Sequence, residues 1–544
     1  MIVLANIWSL SAPARPQNSP AGGYIPVEWR IDWSNAGLLP QDGPFAPHTP
    51  VQADVRIEVE PDVDGNSTQS LESALSQAKT ASKEGKTTVI YFPAGVHRID
   101  AGVVDLTHED GNNIVFQGAG ANSTTLEFTV GNDGTCMLFQ GITEIVRDIS
   151  TDIAKGDRIV KCADGFQPGD WVWICESGFD IPGDPTKNII GQVNRIEGRI
   201  DDGFALRDEA SKRYLAANGL KMFRILPICN IGIENLTVRR MDDSKSTCKR
   251  YSDGCNLFFN YAVNCWVKGV ISDFTCRHHI YIDHSSHIEV TGCYIHHAAG
   301  YGNNSYGYGT VLGASTTNCL IENNIFEHLR HAMGIISGAN RNVYAFNFST
   351  DQHATWHPFA VLSSNCYEGF VYQDSDICLH GRYPFANLFE HNIIEFIEAD
   401  ATHGDNGPFN AFVRNIVWDK GEIFLYHAEN ASVLGNLQKE GTVCKVTNKG
   451  SGPLLDIYGF IDGHQQSHAH FASGSLDEKE ARLPVVSCYY SMRPNFLPES
   501  FTWPTLGCRV NDEPLTQDIP ARMRYNKGGE LTCPAEATVL SSSR

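Results

Sequence analysis

The sequence predicts an all-β fold class, a right-handed parallel β-helix with an N-terminal capping helix and a small β insertion. Three observations lead to it: a short repeat in the second half of the chain, strand-like residues within each repeat, and asparagine at one fixed repeat position. The 544 residues include 49 glycines and only 19% charged residues, which is the composition of a folded chain and not of a disordered one. A β-helix grows by adding repeats, so a chain of this length fits one long body.

The repeat reads apolar, any, any, Asn or small, apolar, with a period of about 22 residues. This period is too short for two ordinary helices with their turns, and the units contain short apolar runs of β-branched and aromatic residues. The leucine spacing of a leucine-rich repeat is absent. Each unit is therefore predicted to form one turn of a coil of parallel strands. The predicted turns begin at Val267, Val290, Ile321, Tyr344, Tyr367, Phe389, Phe412 and Val433.

The asparagines of the repeat predict a structural ladder. They stand three positions after the start of a turn, at Asn324, Asn347, Asn392, Asn415 and Asn436. When parallel strands stack about 4.8 Å apart, an inward asparagine can hydrogen-bond the one above and the one below. These residues are thus expected to hold the coil together without taking part in a reaction.

The other segments complete the predicted domain organisation. Residues 1–60 form an N-terminal extension, residues 61–440 the β-helix, and residues 441–544 an irregular C-terminal tail or cap. Residues 67–85 carry the apolar stripe of an amphipathic helix that caps the open end of the coil. Residues 151–225 break the period with alternating apolar and polar residues, which is typical of an antiparallel insertion.

Charge and targeting signals restrict the partners and the location. The net charge of −21 repels a phosphate backbone and argues against nucleic acid as the main partner, and no apolar run is long enough to span a membrane. Residues 2–10 are apolar and lead to Ala12-Pro13-Ala14, like the end of a secretory signal, although the positive n-region is missing. With 16 cysteines, an even number, we expect an extracellular or periplasmic protein. The sequence leaves the oligomeric state open.

The start of the coil carries a family resemblance. Residues 89–99, Val-Ile-Tyr-Phe-Pro-Ala-Gly-Val-His-Arg-Ile, resemble the strand that opens domains of the pectate lyase-like superfamily after their capping helix. The usual Asp-Asp-Thr before that helix is replaced by residues 64–68, Asp-Gly-Asn-Ser-Thr. The resemblance covers residues 60–440 and implies a β-helix. Since the superfamily includes polysaccharide lyases, glycoside hydrolases, epimerases and phage tailspikes, it also implies a polysaccharide partner.

Polar residues at equal offsets from the predicted turn starts form a candidate functional band. Residues at one offset are expected to lie near one another across neighbouring turns, and seven of the 20 histidines fall between positions 328 and 403. The band therefore combines histidine, arginine and carboxylates in consecutive turns. The candidate catalytic residues are Arg330, His357, Asp376, His380, Arg382, Glu398, Asp400, His403 and Asp405.

Aromatic residues near the band are candidates for substrate binding. A Gly/Tyr/Asn loop one turn earlier carries Tyr301, Tyr306 and Tyr308, whose rings suit stacking on sugars, unless the loop is simply a flexible insertion. Trp356 is a further sugar platform, and His353 belongs to the band. No metal site or cofactor is assigned with certainty.

The band is compatible with three functions. β-Elimination needs a base, a cation and an acid. His357 or His380, Arg330 or Arg382, and Tyr306 or Tyr308 are available for these three roles.

Hydrolysis instead needs two carboxylates, and the available pairs are Asp376 with Glu398 and Asp400 with Asp405. In the third case the groove only binds glycan. Histidine combined with arginine favours a lyase acting on a uronic-acid polysaccharide, although the net charge of −21 opposes that preference. Asp374 and Asp376 flank Ser375 and are possible ligands of Ca²⁺.

Overall fold

The computed structural model describes residues 25–39, 52–61, 64–100, 102, 104–181, 187–242, 253–302, 306–354, 375–419, 422–438, 444–448, 454–457, 486–507, 518–534 and 539–540. Three long parallel sheets, through which the chain passes in turn, form the body of the molecule, so the fold is the predicted right-handed parallel β-helix. We name them sheet 1, sheet 2 and sheet 3 in the order in which each turn visits them.

Sheet 1 has twelve strands and contains seven of the eight predicted turn starts. Its strands are Val55–Glu58, Thr88–Phe92, Ile114–Gly118, Gly232–Glu234, Trp266–Lys268, Glu289–Thr291, Leu320–Glu322, Val343–Ala345, Leu388–Glu390, Ala411–Val413, Ala431–Leu434 and Leu454–Ile457.

Sheet 2 has nine strands, most of which follow a sheet 1 strand after a short bend. They are Gly95–Asp100, Thr124–Thr129, Thr237–Arg240, Ile271–Thr275, Tyr294–Ala298, Ile325–Glu327, Phe348–Thr350, Ile393–Ile394 and Ile416–Val417.

Sheet 3 has ten strands and closes each turn. They are Val104–Thr107, Met137–Gln140, Leu257–Asn260, His278–Asp283, Tyr308–Leu312, His331–Ile335, Ile377–Leu379, Ile397–Ala399, Glu422–Leu425 and Lys445–Asn448.

The register of sheet 1 confirms the repeat at all predicted starts but one. Directly paired residues in successive strands are Val267, Val290, Ile321, Tyr344, Phe389, Phe412 and Val433. Tyr367 lies outside the described residues, and Tyr344 pairs directly with Phe389, so the sheet 1 strand predicted at Tyr367 does not come between them. The reason is a long connection between Phe348–Thr350 of sheet 2 and Ile377–Leu379 of sheet 3, which occupies the length of a whole turn.

The asparagine ladder is also confirmed. Asn347 donates from Nδ2 to Asn392 Oδ1 over 3.1 Å, and Asn392 donates to Asn415 over 2.9 Å, with the same pattern in the neighbouring turns. Each of these buried side chains also donates to a backbone carbonyl, as Asn392 does to Tyr344. The ladder satisfies the polar backbone where the chain bends between sheets 1 and 2.

Helices and smaller sheets cover the coil. The capping helix is Thr68–Lys83, with Leu71 and Ala78 buried against the first turns. The insertion is a six-stranded antiparallel sheet of Ile142–Asp148, Ile159–Lys161, Trp171–Asp180, Lys187–Ile200, Gly203–Leu206 and Leu220–Leu226. The remaining elements are the helix Pro520–Lys527, the 3₁₀ helices Val27–Trp29 and Ala216–Asn218, and the paired strands Ile228–Cys229 with Ala262–Val263 and Gln52–Ala53 with Val539–Leu540.

Among the described residues, no helix has the length and apolar character needed to cross a membrane.

Candidate active site

The candidate site lies on the outer face of sheet 3. Along the strand Ile377–Leu379, the two apolar residues enter the core of the coil, while Cys378 between them faces outward. His380 follows at the end of the strand, two positions after Cys378, and therefore shares its face. Asp400 stands directly beside His380, because Leu379 pairs with Ala399 in the next strand.

His380 and Asp400 form a close pair. His380 Nδ1 lies 2.5 Å from Asp400 Oδ2, and the backbone N–H of Thr402 donates to Asp400 Oδ1 over 2.8 Å. Only 6% of the Asp400 side chain is exposed, against 15% for His380. Burial by itself raises the pKa of Asp400, but the charge that His380 carries when protonated, together with the hydrogen bonds from His380 and Thr402, outweighs it and holds that pKa well below its usual value. Asp400 is therefore ionised.

Tyr308 and His331 lie beside this pair. Their rings meet edge to face, 4.7 Å apart, and the centroids of Tyr308 and His380 are separated by 6.4 Å. Burial raises the pKa of Tyr308 to about 12, so its phenol keeps its proton. Burial, reinforced by Arg330 and His380, lowers the pKa of His331 well below its usual value, so this imidazole is neutral. We call Tyr308, His331, Cys378, His380 and Asp400 the sheet 3 cluster.

Two further predicted residues border the sheet 3 cluster. The guanidinium of Arg330 lies 5.5 Å from the centre of the Tyr308 ring, and its Nη1 donates to Gly302 O over 2.6 Å. The ring of His403 meets the ring of His380 edge to face at 4.8 Å. A cation and a second imidazole thus adjoin the His380–Asp400 pair.

Asp376 was predicted as catalytic, but both oxygens of its carboxylate accept hydrogen bonds from other residues of the coil. Oδ1 accepts from Ser349 Oγ over 2.5 Å, and Oδ2 accepts from the backbone N–H groups of Glu395 and Phe396. Burial and the charge of Glu395 raise the pKa of Asp376 to about 7, against these hydrogen bonds. With both oxygens engaged, Asp376 is suited to holding two strands together and not to binding Ca²⁺; Asp374 lies outside the described residues.

The missing turn at Tyr367 also changes which residues share a position in sheet 3. Glu398 pairs with Cys378, whereas its offset from the predicted turn start was the same as that of Asp376. Glu398 is fully buried in its strand. The offset of Asp376 was counted from Tyr367, where no sheet 1 strand comes between Tyr344 and Phe389. Asp376 was therefore matched with the wrong residue of the next turn.

Arg382 and Asp405 belong to the bend that follows sheet 3. The backbone N–H of Arg382 donates to the carbonyl of His403 over 3.0 Å. Asp405 Oδ1 lies 3.2 Å from His427 Nδ1, so its carboxylate has a different partner from that of Asp400. The predicted hydrolytic pair of Asp400 with Asp405 is thus divided between two histidines.

Tyr301 and His353 belong to a separate group at the bend between sheets 2 and 3. The rings of His297 and His328 stack 4.7 Å apart, and those of His328 and His353 stack 4.3 Å apart. Tyr301 packs edge-on against both His328 and His353. We call His297, His328 and His353 the histidine ladder.

The remaining predicted substrate contacts divide into two sets. Tyr306 is buried, and in the sequence it stands two residues before Tyr308 of the sheet 3 cluster. His357 and Trp356 lie outside the described residues. Cys378 was not predicted as a site residue, although the sequence Ile-Cys-Leu-His at 377–380 alternates apolar and reactive side chains in the way expected of a strand with one functional face.

Comparisons with known proteins found similar solved structures only. No protein-family model matches the chain, and no curated protein matches it. It is similar to the Gp54 tailspike of Acinetobacter baumannii bacteriophage AP22, solved in complex with A. baumannii capsular saccharide, with 14% identity, 67% of this chain and 55% of the tailspike covered, and a TM-score of 0.45. The tailspike gp61 of Pseudomonas phage phi297 matches with 13% identity, 70% and 66% coverage, and a TM-score of 0.46.

The A-module of the Azotobacter vinelandii mannuronan C-5 epimerase AlgE6 is a third similar structure, with 13% identity, 73% of this chain and 77% of the module covered, and a TM-score of 0.36. The chain spans 55% and 66% of the lengths of the two tailspikes. The three-sheet coil itself has the architecture that the resemblance to the pectate lyase-like superfamily implies.

Proposed function

We propose that the protein is a secreted enzyme that cleaves a uronic-acid polysaccharide by β-elimination at the outer face of sheet 3. The observation that carries this proposal is the His380–Asp400 pair: an imidazole on the outer face, with one ring nitrogen 2.5 Å from a buried, ionised carboxylate. Such an arrangement fixes the orientation and the tautomer of a histidine that acts as a base.

His380 is the proposed base. An ionised carboxylate can only accept hydrogen bonds, so Asp400 keeps the proton of His380 on Nδ1. The lone pair of Nε2 is then available to remove the proton on the carbon next to the uronate carboxylate. The side chain of His380 is 15% exposed, which makes it reachable from the surface.

Arg330 and Tyr308 supply the other two parts of the reaction. Arg330 neutralises the charge that develops on the uronate carboxylate as the proton leaves. The bond between C4 and the leaving oxygen then breaks, a C4–C5 double bond forms, and Tyr308 donates its phenol proton to that oxygen. The raised pKa of Tyr308 keeps this proton in place until the leaving oxygen takes it.

Local charge supports an acidic substrate in spite of the net charge of −21. Arg277 and Arg330 lower the pKa of the Tyr308 phenol while Asp400 raises it, so two cations lie near the ionised carboxylate and are available to meet an acidic sugar.

The carboxylates favour elimination over hydrolysis. A hydrolase needs one protonated carboxyl as general acid. Asp400 is ionised through His380, and both oxygens of Asp376 accept hydrogen bonds inside the coil. In each carboxylate pair considered from the sequence, one member is therefore committed elsewhere, Asp400 to His380 and Asp376 to hydrogen bonds inside the coil.

Product chemistry tests the proposal. The protein is incubated with a panel of uronic and neutral polysaccharides while ultraviolet absorbance of unsaturated uronates and new reducing ends are followed together. We expect both signals on a uronic substrate, with Tyr308→Phe slowing both about 10²-fold because the acid is removed. Reducing ends without absorbance would instead establish hydrolysis, and binding without either signal would establish a glycan-binding protein.

A further inference from the structure

Three donor atoms of different chemistry converge in the sheet 3 cluster. Cys378 Sγ lies 3.7 Å from His380 Nδ1 and 3.6 Å from Asp400 Oδ2, and the latter two atoms are 2.5 Å apart. Within the part of the chain that the structure describes, this is the single group of three or more histidine, cysteine and carboxylate side chains whose donor atoms lie this close together.

The geometry argues against a nucleophilic triad. In a triad the nucleophile approaches one ring nitrogen of the histidine, and the carboxylate approaches the other. Here the thiol and the carboxylate both approach Nδ1 of His380. A relay of a proton from Cys378 through the ring to Asp400 is therefore not built into the cluster.

The same distances suit a tetrahedral cation. With Zn–S of about 2.3 Å and Zn–N or Zn–O of about 2.0 Å, the sulfur of a tetrahedral site stands about 3.6 Å from its nitrogen and oxygen neighbours. Both observed distances from Cys378 Sγ agree with this value. The nitrogen and oxygen would have to separate from 2.5 Å to about 3.3 Å, which the loss of their hydrogen bond permits.

We propose that Cys378, His380 and Asp400 form a binding site for a thiophilic divalent cation of the Zn²⁺ type, with Sγ, Nδ1 and Oδ2 as its ligands. Cys378 lies in one strand of sheet 3, and His380 and Asp400 directly follow that strand and the next one, so the register of the two strands places all three side by side. A thiolate, an imidazole and a carboxylate are ordinary zinc ligands, and a fourth position remains for water.

Occupation of this site also inhibits the elimination, a consequence that rests on the proposed function. Binding removes the thiol proton of Cys378, which is released to solvent. The cation takes the lone pair of Nδ1, so the neutral imidazole carries its proton on Nε2 instead. A protonated Nε2 has no lone pair with which to accept the substrate proton, and turnover stops.

Cobalt titration tests the site without any substrate. Co²⁺ is added to the reduced full-length protein in oxygen-free buffer, and the thiolate-to-cobalt charge-transfer band is recorded. We expect the band in the wild type, its loss in Cys378→Ser, and its retention in Cys319→Ser, a matched change of a second fully buried cysteine. Circular dichroism verifies that both variants keep the coil. An equal band in the wild type and in Cys378→Ser would overturn the site.

Zn²⁺ inhibition separates the site from the proposed function. On a cleaved substrate we expect Zn²⁺ to abolish wild-type turnover and to act at least about 10-fold more weakly on Cys378→Ser, since one of three protein ligands is lost. A Co²⁺ band that depends on Cys378, together with turnover unaffected by Zn²⁺, would sustain the site and overturn the role of His380 as base.

Discussion

The sheet 3 cluster and the histidine ladder are built from the same residue types but arranged in different ways. In the histidine ladder the rings stack nearly parallel, with interplanar angles of 21° and 22°. In the sheet 3 cluster, the rings of Tyr308 and His331 meet at 85°, and His380 meets the adjoining His403 at 87°. Stacking covers the faces of the rings, whereas the edge-on arrangement aims ring edges, which carry the nitrogens, at neighbouring groups.

The carboxylates differ as well. Asp351 lies 2.7 Å from His328 of the histidine ladder, and 59% of its side chain is exposed, so water screens the pair. Asp400 is 6% exposed and accepts hydrogen bonds from His380, Thr402 and Cys378. A buried, ionised carboxylate has a far stronger effect on its imidazole than an exposed one. Burial of the carboxylate, and not the density of histidines, therefore distinguishes the site.

The largest expected effect comes from removing one histidine from each group. His380→Ala eliminates the proposed base, and we expect kcat/KM on the cleaved polysaccharide to fall about 10³-fold. His353→Ala shortens the histidine ladder, and we expect a fall of less than about 10-fold because only substrate contacts are affected. Steady-state kinetics from the absorbance of unsaturated products measures both. Equal losses would mean that the two groups form one site.

The carboxylates provide the second comparison. Since Thr402 N–H donates to Oδ1, an asparagine at position 400 keeps its carbonyl there and turns its NH₂ toward His380 Nδ1. The imidazole must then accept at Nδ1 and carry its proton on Nε2, which disables the base. We expect Asp400→Asn to lower kcat about 10²-fold with little change in KM.

Asp351→Asn is the matched control for this change, because it alters the carboxylate of the histidine ladder in the same way. We expect its kcat to stay within about twofold of the wild type, since an exposed pair contributes little. A large loss of kcat in Asp351→Asn, or none in Asp400→Asn, would contradict the distinction between the two carboxylates.

The coil could be predicted from the sequence because residues of the same type recur at the same position in successive turns. Val267 and Val290, like Phe389 and Phe412, stand 23 residues apart, and buried asparagines such as Asn392 are satisfied by stacking on like residues. Tyr367 shows the limit of this reasoning. It stands at the correct spacing, but Tyr344 pairs directly with Phe389, and spacing alone does not distinguish a turn start from a residue between two turns.

The site was predictable in part. His380, Asp400, His403 and Arg330 lie together as the sequence proposed. Asp376 shows why the rest could not be foreseen, since its polar type is the same whether it faces solvent or accepts three hydrogen bonds inside the coil. The direction of a side chain depends on strand register, which the extra length before Asp376 displaced.

The pH dependence of stability gives a third comparison. His296 lies beside the histidine ladder, where burial lowers its pKa to about 4. Its folded pKa is below the unfolded value of about 6.5. The unfolded chain therefore binds more protons as the pH falls, and stability that is present above pH 6.5 is lost on approach to pH 4.

In His296→Gln we expect the free energy of unfolding to fall by about 2 kcal/mol less over this pH range than in the wild type. This value is smaller than the whole pKa shift of His296 would give, because His296 interacts with His297 and Asp273. The measurement is the melting temperature of both proteins between pH 7 and pH 4.5. Parallel curves would show that His296 does not carry the acid sensitivity of this region.

The smallest expected effect concerns the exposed pair of Asp351 and His328. Asp351 has a φ of 56°, in the left-handed region that asparagine and aspartate tolerate better than other side chains. Asp351→Asn thus removes the charge without adding backbone strain, and we expect the free energy of unfolding to fall by less than about 1 kcal/mol. Asp351→Ala should cost about 1 kcal/mol more because alanine does not tolerate this conformation. Denaturant titration distinguishes the two variants. If Asp351→Asn were as damaging as Asp351→Ala, the charge itself would hold the histidine ladder together, and an exposed carboxylate would be as important there as a buried one is in the sheet 3 cluster.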